Sequence, residues 1–237
     1  MNTFEKWRGG LSAKNEEPWG ADDRLIQPEI FMCKTWIVIC IASILLAPRT
    51  FAGDEAQKVR SAESKAQALE QNAASEGDKS RPAESETITK PEAQAVDPAG
   101  ENPLDDALTC LARSIYWEAR GEKAAGIEAI ANVVMNRLGH EGFPDTICEV
   151  VRQGREEGAC QFSWWCDGRA DDAQEDQAYS AAKEIARKVL NRQIPDRTGG
   201  ALYFHQKDIT PDWTAQYVKT TEIGGHVFYK PRDGAAK

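Results

Sequence analysis

The Thr35–Ala47 run, "TWIVICIASILLA", falls short of the roughly 20 apolar residues that span a bilayer as a helix. A basic excess is also missing from this chain of 237 residues. The formal charge is −9, with 12 acids against 6 bases over residues 54–105 and 20 against 17 over residues 106–237. That balance sets aside a nucleic-acid binder. Aromatic residues are absent from Gly53–Asp105, a stretch rich in Ala, Glu, Ser, Gln, Lys and Pro. Such a segment cannot bury enough apolar area to offset the entropy of ordering. It is expected to be a disordered acidic linker over residues 53–105, with Ala56–Ala73 transiently helical. The chain also lacks a C-x-x-C pair, an H-E-x-x-H or H-x-x-x-H pairing, and any internal repeat. A four-cysteine zinc site is therefore set aside, and no metal or other cofactor is expected.

The short apolar run has the surroundings of an export signal. Lys34 precedes it, and Thr50-Phe51-Ala52 offers a small-x-small site for cleavage after Ala52. Starting at Met32 would give "MCKTWIVICIASILLAPRTFA", a signal peptide of ordinary length. Residues 1–52 are thus expected to be an N-terminal extension and signal peptide, with an uncleaved membrane anchor as the alternative. The destination is the periplasm or cell envelope. Cys33 and Cys40 would leave with the signal, and Cys110, Cys148, Cys160 and Cys166 remain. Four cysteines in an exported domain suggest two disulfides, with three connectivities open. Cys160 and Cys166 enclose a short loop and form the easiest local pair, which leaves Cys110 for Cys148.

Residues 106–237 hold most of the aromatic residues and enough chain for one core. Asp105-Asp106 suit a helix start, and Leu108, Leu111, Ala112 and Ile115 follow in helical phase as far as Gly121. A second helix is predicted over Lys123–Leu138, with Ile127, Ile130, Ala131, Val134, Met135 and Leu138 as its stripe and Gly139 at its end. Asp145 or Thr146 can cap a short helix that buries Ile147, Val150 and Val151. Residues 152–173 read as a loop. A longer helix covers Glu175–Arg192, with Ala178, Ala182, Ile185 and Val189 in phase. Short strands follow at Ala201–His205 and His226–Tyr229. Helices followed by a small β portion make an α+β domain.

Glu118 of "SIYWEARGE" extends the stripe of the first helix, seven residues after Leu111 and three after Ile115. It points to the buried side, where desolvation raises a carboxyl pKa toward the range useful to a general acid. Glu122, past Gly121, is expected to be more exposed, and Arg120 to pair with either acid or with a substrate. A helix-end charge neutralised by Arg120 is the structural alternative. The loop "CQFSWWC" sets Phe162, Trp164 and Trp165 beside Gln161 and Ser163. Aromatic faces interleaved with amide and hydroxyl groups suit the apolar faces and polar edges of sugar rings, although each ring alone is as well explained as core.

Together "CLARSIYWEARGE", "GIEAIANVVMNRL", "FPDTICEVVRQ", "CQFSWWCDG", "GALYFH" and "GGHVFY" resemble the SleB-type, spore-cortex-lytic family of cell wall hydrolases. The resemblance covers about residues 108–230 and is closer to exported proteobacterial members than to the spore enzymes. It implies a lysozyme-like α+β fold, peptidoglycan as substrate, and Glu118 as the catalytic acid. The implied reaction is lytic transglycosylation between N-acetylmuramic acid and N-acetylglucosamine, carried by that single carboxylate. Gln161, Phe162, Ser163, Trp164, Tyr203 and His205 are the expected substrate-binding residues, with Arg120, Glu122, Asp167 and His226 in support. A monomer is expected, with no membrane contact beyond the signal peptide or anchor.

Four other readings compete. Glu122 or Asp167 as a second carboxylate would restore simple hydrolysis, whose two acids stand at fixed separations. A zinc amidase or peptidase would use His140, His205 and His226 with Glu118. A thiol hydrolase would need a free cysteine. A non-catalytic sugar-binding module would stack rings on Trp164, Trp165, Tyr203 and Trp213.

Overall fold

The computed structural model describes residues 50–75, 80–156 and 160–232, which lie in one compact unit. The apolar run of the expected signal peptide and the start at Met32 fall outside these residues. Among the described residues no helix is long and apolar enough to cross a membrane.

The acidic segment is not a disordered tether. Helix α1 (Thr50–Ala74) buries Ala62, Ala66 and Leu69, spaced as one helical face. The short helix α2 (Lys90–Ala95) is capped by Thr89, whose side chain accepts from the Glu92 amide. Glu92 in turn accepts from Ser61 at 2.6 Å and Lys65 at 2.9 Å on α1, tying the two helices together. Ile88 is fully buried, and its amide and carbonyl are both taken by the Asn191 side chain at 2.9 and 2.8 Å. The reason is a matter of partners. Alanine faces bury little area by themselves, but here they pack closely on a core supplied by the rest of the domain, and the linker's backbone groups find side-chain partners there.

Helix α3 (Ala107–Glu118) is capped by Asp106, which accepts the Thr109 amide at 2.9 Å. Ten of its 12 residues are buried, so it is the central element, and Leu108, Leu111, Ala112 and Ile115 lie in its core as their phase predicts. Arg113 is buried with them. It donates to Asp97 through Nε at 3.0 Å and its terminal nitrogen at 2.9 Å, and Tyr179 adds a 2.6 Å hydrogen bond to the same carboxylate. Helix α4 (Ala124–Arg137) ends at Leu138 and Gly139, whose φ is +68°. A Cβ at Gly139 would overlap the Ala74 carbonyl oxygen, so glycine is required for the end of α1 to approach. Helix α5 (Ile147–Arg152) is capped by Thr146 and buries Ile147, Val150 and Val151.

Helix α6 (Asp176–Leu190) follows the loop. Its buried face is formed by Tyr179, Ala182, Lys183, Ala186, Val189 and Leu190. Ala178, expected in that stripe, is exposed, because the Tyr179 hydroxyl turns the face toward Asp97.

Three strands close the chain: β1 (Tyr203–Gln206), β2 (Tyr217–Ile223) and β3 (His226–Pro231), antiparallel in the order β1-β3-β2. Strand β2 was not predicted. It is an edge strand with no buried residue, so it lacks the alternation that marks a half-buried strand. A small cluster of Ala129, Val133, Ala201 and Phe228 fastens the sheet to α4. The architecture is α+β, mainly helical, with its β portion toward the C-terminus.

Candidate active site

The disulfides Cys110–Cys148 and Cys160–Cys166 are both present. The first joins α3 to α5, and the second clips the loop that leads to a 3-10 turn at Ser163–Trp165. Phe162 is fully buried just ahead of that turn and lies 5.1 Å from the Arg137 guanidinium. With Phe162 fixed beneath it, the turn holds the Ser163 backbone amide where it favours the ionised form of Glu118.

Glu118 is the last residue of α3 and is half-buried. Burial pushes its carboxyl up to about 7 from the ordinary 4.5, while the Ser163 amide and the Arg137 charge pull the other way. The carboxyl lines an open cleft of about 350 Å³ together with Arg120, Glu122, Gln206, Lys207, Asp208, Gly225 and His226. A carboxyl poised near neutrality at the wall of a cleft can give a proton and take one back.

Glu122 is not the exposed group that its position after Gly121 suggested. Its side chain is only 13% exposed, its Oε1 accepts the Gly225 amide at 2.7 Å, and it lies 3.2 Å from His226 Nδ1. Burial holds the His226 ring below its usual pKa, and Glu122 offsets only part of that. Arg120 pairs with neither acid of its own motif. It forms an ion pair with Glu175 and lies over the rings of Trp117 and Tyr116, at 5.2 and 5.6 Å.

The other expected site residues divide by exposure. Gln161 and Ser163 are exposed beside the turn. Phe162 and Trp164 are buried, at 0% and 5% exposure, and so belong to the core that holds the loop rather than to a sugar-stacking surface. Trp165 is half-buried beneath Arg152 and Arg155. His205 is also buried, its ring nitrogens 2.7 Å from the Gln206 carbonyl and 3.1 Å from the Tyr229 hydroxyl. Tyr203 remains half-buried, in a group of rings with Trp213 at 6.0 Å and Tyr217 at 4.5 Å. Asp167 stays in its own loop, accepting the Arg169 amide at 2.9 Å, and is not among the residues lining the Glu118 cleft. Among the described residues, no three His, Cys, Asp or Glu side chains are grouped as a metal site requires.

Two neighbours of Glu118 escaped the sequence reading. Lys207 lies just past β1, where short-range pattern says nothing about what faces it. Arg137 did carry a signal: it follows Ile130 and Val134 on the apolar stripe of α4, the same in-phase charge that singled out Glu118.

Residues 121–229 match the family model described as Cell Wall Hydrolase. The match begins three residues past Glu118. The spore cortex-lytic enzyme of Halalkalibacterium halodurans is 33% identical over 136 residues, covering 55% of this chain and 36% of that protein. The spore cortex-lytic enzyme of Bacillus cereus is 32% identical over 128 residues, covering 52% of this chain and 44% of that protein. The chain thus spans less than half the length of these relatives. The crystal structure of the catalytic domain of the Bacillus cereus SleB protein aligns with 52% of this chain and 89% of that one, at 29% identity and a TM-score of 0.42. By this match and these relatives, the C-terminal part of this chain is similar to cell wall hydrolases and to the spore cortex-lytic enzymes.

Proposed function

We propose that this domain cleaves the glycan strands of peptidoglycan outside the cytoplasm, by lytic transglycosylation with Glu118 as its single acid and base. The observation that carries the reading is the contrast between the two acids on the cleft wall. Glu118 is held near neutrality by burial, whereas Glu122 is already engaged with the Gly225 amide and His226.

In the first half of the reaction, protonated Glu118 gives its proton to the glycosidic oxygen as the bond from C1 of N-acetylmuramic acid breaks. In the second half, the carboxylate takes the proton of the C6 hydroxyl while O6 bonds to C1. A 1,6-anhydro ring forms, water is not consumed, and Glu118 regains its proton. Both steps need a carboxyl whose two protonation states are close in energy at neutral pH, which matches a pKa of about 7. Hydrolysis would need a second carboxylate free to activate water or attack the sugar. The two disulfides support export to an oxidising compartment.

Mass spectrometry of the muropeptides released from purified sacculi tests the reaction type. Transglycosylation predicts 1,6-anhydro ends; reducing N-acetylmuramic acid ends would replace this reading with hydrolysis.

A further inference from the structure

A second hollow, of about 180 Å³, adjoins the Glu118 cleft, and Arg120 and Glu122 form the wall that the two share. Its floor is small and apolar: Ile115 and Ala119 from around the end of α3, Ile127 from α4, and Ala178, Ala181 and Ala182 from α6. Ala178 and Ala181 are exposed and Ile127 is only half-buried, so the space above them is left unfilled. A hollow of this size can hold a group as large as a benzene ring. Protein interiors leave few such voids, and a leucine at either exposed alanine would bury more apolar area at little cost to the helix. Packing alone therefore does not account for the alanine floor. At the mouth stands Arg120, paired with Glu175 and lying over the rings of Trp117 and Tyr116. The side chains of this ion pair are 49% and 56% exposed. Such a pair contributes about 0–1 kcal/mol, so another carboxylate can take the place of Glu175. Glu122, the other group on the shared wall, is already engaged by the Gly225 amide.

We propose that this hollow seats the peptide stem of peptidoglycan. The methyl group of the stem's first residue, an alanine, lies on the alanine floor, and the carboxylate of its second, a glutamate, takes Arg120 from Glu175. This rests on the reading of the glycan strand as the substrate of the Glu118 cleft. The stem leaves the strand from the lactyl group on C3 of N-acetylmuramic acid, the sugar whose C1 bond breaks beside Glu118. A branch from that ring has to run off the cleft, and the hollow opens next to it across the Arg120–Glu122 wall. A small apolar seat with a guanidinium at its mouth matches a small apolar group followed by a carboxylate. Contacts made by a branch away from the breaking bond also orient the sugar at Glu118. Arg120 is thus a specificity residue, with no part in the proton transfers assigned to Glu118.

The test compares cleavage by the full chain of stem-bearing sacculi with cleavage of the same glycan strands stripped of their stems by an amidase. The wild type is expected to act about tenfold faster on stem-bearing strands, the contribution of a buried methyl group and a charge-assisted hydrogen bond at the surface. Ala181→Leu fills the floor from an exposed helix position and is expected to bring that ratio close to one. A wild-type ratio near one, or a ratio that folded Ala181→Leu leaves in place, would overturn the proposal. Binding is read separately, by carbon-13 NMR of the alanine methyl groups, with Ala178 and Ala181 assigned by substitution. N-acetylmuramyl-L-alanyl-D-glutamate is expected to shift both methyl signals, and N-acetylmuramic acid to leave them in place. Equal shifts from the two probes, or none from either, would also overturn it. Should the wild type release no anhydro ends while the muramyl dipeptide alone shifts those methyl signals, the proposed reaction fails and the stem site stands.

Discussion

The Glu122 carboxylate accepts the Gly225 backbone N–H at 2.7 Å, joining the turn after α3 to the β2–β3 hairpin. Gly224, beside it, has φ +59°, and a Cβ there would collide with Glu122. The hairpin is therefore drawn against the cleft wall by an acid that lies four residues from Glu118 and does different work. One carboxylate fixes backbone; the other, in the proposed reaction, is left to exchange a proton.

Glu122→Gln retains a carbonyl oxygen that can accept the Gly225 amide, so cleavage is expected to stay within a few-fold of wild type. Glu122→Ala loses that bond and is expected to lower stability by about 1–3 kcal/mol. Denaturant unfolding and sacculus-release rates measure the two effects. If Glu122→Gln lost as much activity as Glu118→Gln, a two-carboxylate hydrolysis would be the better account.

The raised pKa of Glu118 has a stability signature of known sign. The group stands at about 7 in the folded protein against an ordinary 4.5. Between those values the folded state binds more protons than the unfolded chain, so the contribution of this group to stability falls as pH rises through the window. The loss amounts to about 3 kcal/mol at most above neutrality. Glu118→Gln is expected to melt higher than wild type at about pH 8 and to show no such advantage at about pH 4. A variant that melted lower at the higher pH would contradict the burial cost assigned to Glu118. Cleavage by the wild type should likewise decline above about pH 7, as the acid loses its proton.

Cys110–Cys148 closes a loop between residues 38 apart and joins the central helix to α5. Replacing both cysteines by alanine is expected to cost about 4 kcal/mol by chain entropy. The midpoint of chemical unfolding should fall accordingly, and a reducing agent should lower the wild type by more than the variant, which has only Cys160–Cys166 left to lose.

Helix α1 is part of the fold, so Leu69→Ala, at a site 5% exposed, is expected to lower stability by about 2–3 kcal/mol. Amide hydrogen exchange should show protection along the inner face of α1 that this substitution weakens. An unchanged unfolding midpoint would return the segment to the role of a loose tether.

Local features of the chain were legible because their causes are local. Asp106, Thr146 and Gly139 mark helix ends by short-range chemistry, and Leu108, Leu111 and Ile115 set the phase that carried Glu118 inward. The two disulfide pairs are the ones favoured by the short Cys160–Cys166 loop, out of three connectivities that the sequence left open. What escaped depended on long-range partners. The alanine face of α1 carries no strong apolar signal until a core is supplied for it. The turn of α6 toward Tyr179 depends on Asp97, which is 82 residues away. Phe162, Trp164 and His205 look like cleft residues by type, and only packing shows that they support the loop and sheet from within. Arg137 stands as a charge on an apolar stripe, but the three rings that surround it come from distant parts of the chain.

The most direct test of the account is cleavage of purified sacculi by folded Glu118→Gln. The amide keeps the size of the side chain and cannot supply a proton, so the release of anhydromuropeptides is expected to fall by about 10²–10⁴-fold while binding to sacculi is retained. Release at the wild-type rate would show that Glu118 is not the acid of this reaction.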